Sequence, residues 1–189
     1  MPQSKILLDT CSYLRLARSI HPLLFVEFGK ARYCLYVIEG FQEEFNKSTR
    51  LRTKFTWVSE EQYKENRSKS IQMSKKVHKT IDLAYNYILE FADTNGFGIS
   101  RIDGKAVASA YVLEITLISD DSDLLAVCQE FDVKILKTLE LLHLMKEHQH
   151  VDMTKIREIA AYWHYERDPP KNFVDDYQEL FEEAPPKDF

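Results

Sequence analysis

Carboxylates recur where apolar, strand-like runs end or where helices begin. Asp9 closes KILLD, Glu44 lies in EGFQEEF, Asp103 stands at the start of RIDGKAVASAYV, and Asp121 and Asp123 close TLISDDSD. One acid at a strand end is ordinary. Acids at several element boundaries point to a shared pocket, because parallel strands bring their carboxyl ends to one edge of a sheet. Carboxylates gathered in one pocket repel each other unless a cation sits among them, so the pattern suggests a divalent metal site with oxygen ligands. Each acid also has a plainer role. Asp9, Asp103 and Asp121 are placed to cap the helices that follow, and Asp123 in a first turn suits the helix dipole. The six histidines show no metal-ligand spacing; His143, His148 and His150 cluster at a helix end as expected surface residues, and no zinc site is expected.

The elements that must position these acids follow from periodicity. KILLD and TLISDD are short continuous apolar runs, the mark of strands buried on both faces, and DVKILKT is another. ARYCLYVIE is rich in Tyr, Val and Ile and is expected as a further strand. Helices are expected over TCSYLRLARS, from GFQEEFNK, over DGKAVASAYVL, SDLLAVCQEF, LELLHLMKEH and VDMTKIREIAAYWHYERD. Residues 59–93 are expected as one long helical region, opened by a capping-box pattern with Ser59 and Gln62. TNGFGISRID is a loop. The alternation of strands and helices predicts an α/β fold with a parallel sheet of four or five strands, helices covering both faces.

The chain of 189 residues is most simply one domain, an α/β unit over 1–148 with a helical extension over 149–189. Its three cysteines form no paired motif, no apolar run is long enough to span a bilayer and no signal segment is apparent, so a reduced, cytoplasmic protein is expected. The formal charge of −5 is carried by the C-terminal stretch from Tyr165, which has eight acids against three bases. The body is neutral, and residues 47–79 hold ten Lys or Arg. These are either the solvated side of a helix or a face for phosphate contact. If the latter, Lys47, Arg50, Arg52 and Lys54, with Trp57 for base stacking, are the candidates to seat a phosphate backbone. The Pro-bounded tail is expected to dock its FVDDYQELF stripe on the body; the alternative is an acidic arm that covers the basic groove or binds a partner.

LLDTCSYL, VIEGFQEEF, GFGISRIDGKAVASAYVL and TLISDDSDLLAVCQEF, in that order over residues 5–145, resemble the PIN-domain ribonucleases, which include VapC-type toxins. The resemblance is strongest in the strand ending Asp-Thr and the strand ending Ser-Asp-Asp-x-Asp-Leu. It implies a cluster that binds Mg²⁺ or Mn²⁺ and hydrolyses RNA, with Asp9, Glu44, Asp103 and Asp121 catalytic, Asp9, Asp103, Asp121 and Asp123 as metal ligands, and Thr10 and Ser119 as supporting hydroxyls. It also implies a homodimer and, for a toxin, an antitoxin protein as partner. Glu39 and Glu43 compete with Glu44 for the second motif. The alternatives are a PIN-like DNA or flap nuclease and a non-catalytic scaffold that binds RNA or protein.

Overall fold

A computed structural model describes residues 2–186 of the chain, so Lys187 and Asp188 of the acidic tail lie outside the described residues. In chain order the elements are β1 (Ser4–Leu8), α1 (Thr10–Leu16), β2 (Glu27–Phe28), β3 (Tyr33–Val37), α2 (Phe41–Lys47), α3 (Thr49–Lys54), a 3-10 turn (Thr56–Ser59), α4 (Glu61–Asn66), α5 (Lys75–Asn95), α6 (Arg101–Leu113), β4 (Thr116–Ile118), α7 (Ser122–Glu130), β5 (Ile135–Leu136), α8 (Thr138–Glu147), α9 (Met153–Tyr165) and α10 (Phe173–Phe181). The five strands form one sheet in the order β2-β3-β1-β4-β5. Ile6, Leu7 and Leu8 are all buried, which in a strand of period two means that helices cover both faces.

The pairings of β1 with β3, β1 with β4 and β4 with β5 are parallel, with Leu8 opposite both Val37 and Ile118, and Ile118 opposite Leu136. The sheet is therefore the expected α/β design, with one departure. β2, not foreseen in the sequence, adds an antiparallel edge through Glu27↔Cys34 and Phe28↔Tyr33. Two residues give no detectable periodicity, and only pairing with β3 makes them a strand.

The long helical region expected over 59–93 is broken. Ser59 ends the 3-10 turn, α4 starts after Glu60 with no side-chain cap, and the Gln62 amide donates to Glu60 instead of closing a capping box. Residues 67–74 then leave the helix. The Arg67 guanidinium turns inward to donate to the Tyr13 hydroxyl at 2.9 Å and the Val58 carbonyl at 2.8 Å, and Ser74 restarts the chain as the cap of α5. A tertiary anchor thus overrides the local pattern. Gly104 serves a related end: a Cβ there would meet Leu89 at 2.6 Å, so its absence lets α6 lie against α5.

The C-terminal extension is docked. Ile156, Ile159, Trp163, Phe173, Tyr177 and Phe181 belong to the same apolar core as β1 and α1, and the Trp163 indole N–H donates to the Arg15 carbonyl at 2.9 Å. Lys137–Asp176 and Arg157–Glu183 pairs fasten the helix from outside. His143, His148 and His150, expected at the surface, are instead half-buried ring partners of Phe181, Tyr33 and Phe28. Among the described residues no helix is long and apolar enough to cross a membrane, and Cys11, Cys34 and Cys128 are free thiols.

Since Tyr177 is fully buried in the core, with Phe173 and Phe181 as ring neighbours, Tyr177→Ala is expected to destabilise the whole chain by about 3 kcal/mol in one cooperative denaturant transition. A loss of less than about 1 kcal/mol would mean that the extension contributes little to the core.

Candidate active site

The register of the strands decides what meets at their carboxyl ends. Asp9 N–H donates to the Ile118 carbonyl at 3.1 Å, Ile38 N–H to the Leu8 carbonyl at 3.0 Å, and Ser119 N–H to the Leu136 carbonyl at 3.1 Å. Asp9, Ser119 and Thr138 therefore lie side by side just past β1, β4 and β5. The buried polar and charged side chains among the described residues are Asp9, Thr10, Ser12, Ser119 and Thr138, and every one belongs to this edge. Elsewhere the core is apolar.

Asp9 caps α1, its Oδ1 accepting the Ser12 N–H at 2.6 Å, and it is 5% exposed. Burial raises its carboxyl to about 6, against hydrogen bonds from Ser119 and Ser12 that favour the charged form; the nearby Asp120 charge adds to the rise. Thr10, the next residue, donates its hydroxyl to Glu44 Oε2, so the second acid is tied to the first through one peptide unit. Gly40, with φ of +98°, makes the turn from β3 into α2 that brings Glu44 there. Of its competitors, Glu43 is turned outward onto Lys47, while Glu39 lines the open cleft beside Glu44.

The remaining carboxylates are held by backbone donors. Asp121 caps α7, its Oδ1 accepting the N–H groups of Asp123 and Leu124, both at 2.9 Å. Asp103 sits in a capping box with Ser100 at the start of α6, its Oδ2 accepting the Ser100 N–H at 3.0 Å. Asp123 Oδ2 accepts the Gly98 N–H at 2.7 Å, which fixes the loop before α6 onto the start of α7. Glu44 Oε1, Asp103 Oδ1, Asp121 Oδ2 and Asp123 Oδ1 have no protein donor among the described residues. A carboxylate accepts at both oxygens, so a cap on one oxygen is compatible with a ligand on the other.

The donor chemistry suits a hard cation such as Mg²⁺. The grouping is looser than the sequence suggests: among the described residues, no three His, Cys, Asp or Glu side chains are drawn together so as to hold a metal ion. Asp9 and Glu44 are joined through Thr10, and Asp103 and Asp123 are joined through the loop at Gly98 to Ser100. Among the described residues no hydrogen bond or ion pair joins one pair to the other, although the cleft beside Glu44 is also lined by Ser100, Arg101 and Ile102 at the start of α6.

The expected phosphate-binding residues are differently placed. Lys47 is paired with Glu43, Lys54 with Asp168 at 3.4 Å, and Arg52 donates to Thr49 at 3.3 Å, while Arg50 is exposed. Trp57 cannot stack on a base, because it is 5% exposed and packed between Tyr13, Phe55 and Tyr63. An aromatic next to a basic run reads the same in sequence whether it faces solvent or core.

Asp120, the first acid of the Ser-Asp-Asp-x-Asp run, is an organiser of the edge. It accepts Arg15 Nη1 at 2.6 Å and the Thr138 hydroxyl at 2.5 Å, and Arg15 Nε also donates to the Asp168 carbonyl at 3.1 Å. The signal that could have found it is the hydroxyl after three of the four parallel strands: Thr10 after β1, Ser119 after β4, Thr138 after β5. Cys11 keeps exposed surface but sits among these charges; desolvation first, then Asp9, push its thiol up to about 12, with Asp168 and Glu44 adding to the effect.

No family model matches the chain, and no curated protein matches it. Among solved structures, FitAcB from Neisseria gonorrhoeae is similar at 16% identity with a TM-score of 0.46, over 71% of this chain and 98% of that one. A likeness at that level assigns neither residues nor activity.

The Asp9 carboxyl binds its proton more tightly folded than unfolded, so its contribution to stability is fully present below pH 3.8 and is lost as pH rises through about 6. Asn keeps the cap on Ser12 without the charge. In chelator, Asp9→Asn is expected to be the more stable protein above pH 7, by up to roughly 3 kcal/mol, with the gap closing toward pH 4. Denaturant titrations across that range check it, and a gap independent of pH would contradict it.

Proposed function

We propose that this chain is an endoribonuclease of the PIN type, which hydrolyses RNA phosphodiester bonds at the carboxyl edge of its sheet. The observation that carries this is the confinement of buried polar side chains to that edge, with a buried carboxylate, Asp9, tied through Thr10 to Glu44. An apolar core has no structural need for a desolvated acid, and such groups cluster where chemistry is done. The order of the sequence motifs that resemble the PIN family supports the same reading.

Asp9, Asp103, Asp121 and Asp123 are the proposed ligands for Mg²⁺ or Mn²⁺. Bound there, the ion would acidify a water and offset charge on the phosphate oxygens. The protein's own part is positional. Helix caps and the Thr10 hydroxyl hold one oxygen of each carboxylate in a set direction, and the cleft of about 780 Å³ beside Glu39, Glu44 and Lys105 is open enough for a polynucleotide strand. A homodimer and, for a toxin role, an antitoxin that covers this cleft complete the proposal.

A second reading is a non-catalytic scaffold that binds RNA or protein. It is favoured by one observation, that three acids are not drawn together and each is already engaged in a cap or hydroxyl contact.

Labelled single-stranded RNA, flap DNA and duplex DNA, assayed side by side with Mg²⁺ and with Mn²⁺, separate the readings. RNA should be cut, and Asp9→Asn, Glu44→Gln and Asp121→Asn should each lower the rate at least about a hundredfold without loss of fold. Binding without cleavage by the native chain in either metal would leave the scaffold; preferential cutting of flap DNA would replace the RNA assignment.

A further inference from the structure

A second cavity, of about 460 Å³, lies on the β3 side of the same edge. It is walled by Val37 and Ile38 at the end of β3, by Ser109 and Leu113 of α6, and by the segment between α4 and α5, where Ile71 and Met73 close the apolar wall. Its volume falls in the range of small-molecule sites, roughly 300–1,000 Å³. Lys64, Arg67, Lys69, His78 and Lys105 line it, against Glu39 as the acid. The cavity is thus apolar inside and cationic at the rim.

Two of those cations are already engaged, Arg67 with Tyr13 and Val58, and Lys105 with Asp82. Lys64 has only a loose exposed pair with Glu61 at 3.7 Å, and the Lys69 ammonium lies over the Phe25 ring. Both are placed to take an anion. Among the described residues, the backbone N–H groups of residues 69–74 donate to no protein acceptor. The segment is also attached to the body by side-chain packing rather than by main-chain bonds, so it can part from α6 to admit a ligand.

An apolar slot bounded by cations fits a flat ring that carries a phosphate. We propose that this cavity binds a nucleotide, with its ring against Ile38, Ile71 and Met73 and its phosphate at Lys64 and Lys69. Resting on the nuclease reading, the nucleotide is one unit of the RNA strand, a few positions from the bond that is cut. The cavity shares Glu39, Gly40 and Lys105 with the cleft that holds Glu44, so a strand can pass from one to the other. It would then choose which base is accepted at that position of the strand.

Calorimetry on the full chain tests this with AMP, GMP, CMP, UMP, inorganic phosphate and a short single-stranded RNA. At least one mononucleotide should bind at a single site. The Lys64→Glu/Lys69→Glu double variant should weaken it at least tenfold, Ser109→Phe should fill the slot and abolish binding, and Asp9→Asn should leave it unchanged. The double variant should weaken the RNA by a similar factor. Inorganic phosphate binding as tightly as every nucleotide would overturn the ring slot. Nucleotide binding with RNA affinity unmoved by the double variant would overturn the strand assignment and leave a free nucleotide as the ligand. A native chain that cuts RNA but binds no mononucleotide sinks the cavity and spares the nuclease; one that binds nucleotides and cuts nothing does the reverse. Thermal melts guard against misfolding, and if Ser109→Phe fails to fold, the charge-reversed surface variant decides.

Discussion

The parallel register of β1 between β3 and β4 is the constraint on which the site depends. With Leu8 paired to Val37 on one side and Ile118 on the other, the next residue of each strand is delivered to a common edge, and the Asp9 N–H is bound by the Ile118 carbonyl. A one-residue slip would turn the side chains of β1 to opposite faces, either drawing Asp9 back into an apolar layer with Thr10 at the edge or putting Leu8 at the edge. Because β1 is covered on both faces, that slip is strongly disfavoured. The position of Asp9 is therefore set by hydrophobic burial, although Asp9 itself is disfavoured there.

This arrangement carries a polar cost that the surroundings offset locally. Ser12, Ser119 and Thr138 are fully buried, and all serve the carboxylates of Asp9 or Asp120. Arg15 neutralises Asp120, and its own main chain is held by Trp163 of the C-terminal extension. Asp168, from the same extension, lies between Arg15 and Lys54. The extension is thus part of the electrostatic frame of the site as well as of the core, and the cations nearest the acids are largely balanced before any substrate arrives.

The segment that interrupts the helical region has the opposite character. Arg67 anchors its start and Ser74 its end, and among the described residues the N–H groups of residues 69–74 donate to no protein acceptor. Rigid acids on strand ends and helix caps, beside a loosely held cationic strap, divide positioning from adaptable contact, a division common to sites that must both orient and admit a ligand.

Most strands and helices were legible in the sequence, because continuous apolar runs and helical spacing report burial directly. So was the placement of acids at element boundaries, since a strand end is marked by where its apolar run stops. The choice among Glu39, Glu43 and Glu44 was not: the turn before α2 and the first turn of α2 put three acids within one short stretch, and packing of Phe41 and Phe45 turns Glu44 toward Thr10. Nor could the sequence tell that Trp57 faces the core, that Lys54 faces Asp168, or that Asp120 rather than bulk water receives Arg15. Those contacts join residues as much as 153 positions apart, as between Arg15 and Asp168. The sequence by itself determined the parallel sheet and its row of strand-end acids, through local patterns of burial. Only the tertiary structure decided which oxygen, cation and cavity each acid meets, because side-chain direction and long-range pairing leave no periodic trace in the chain.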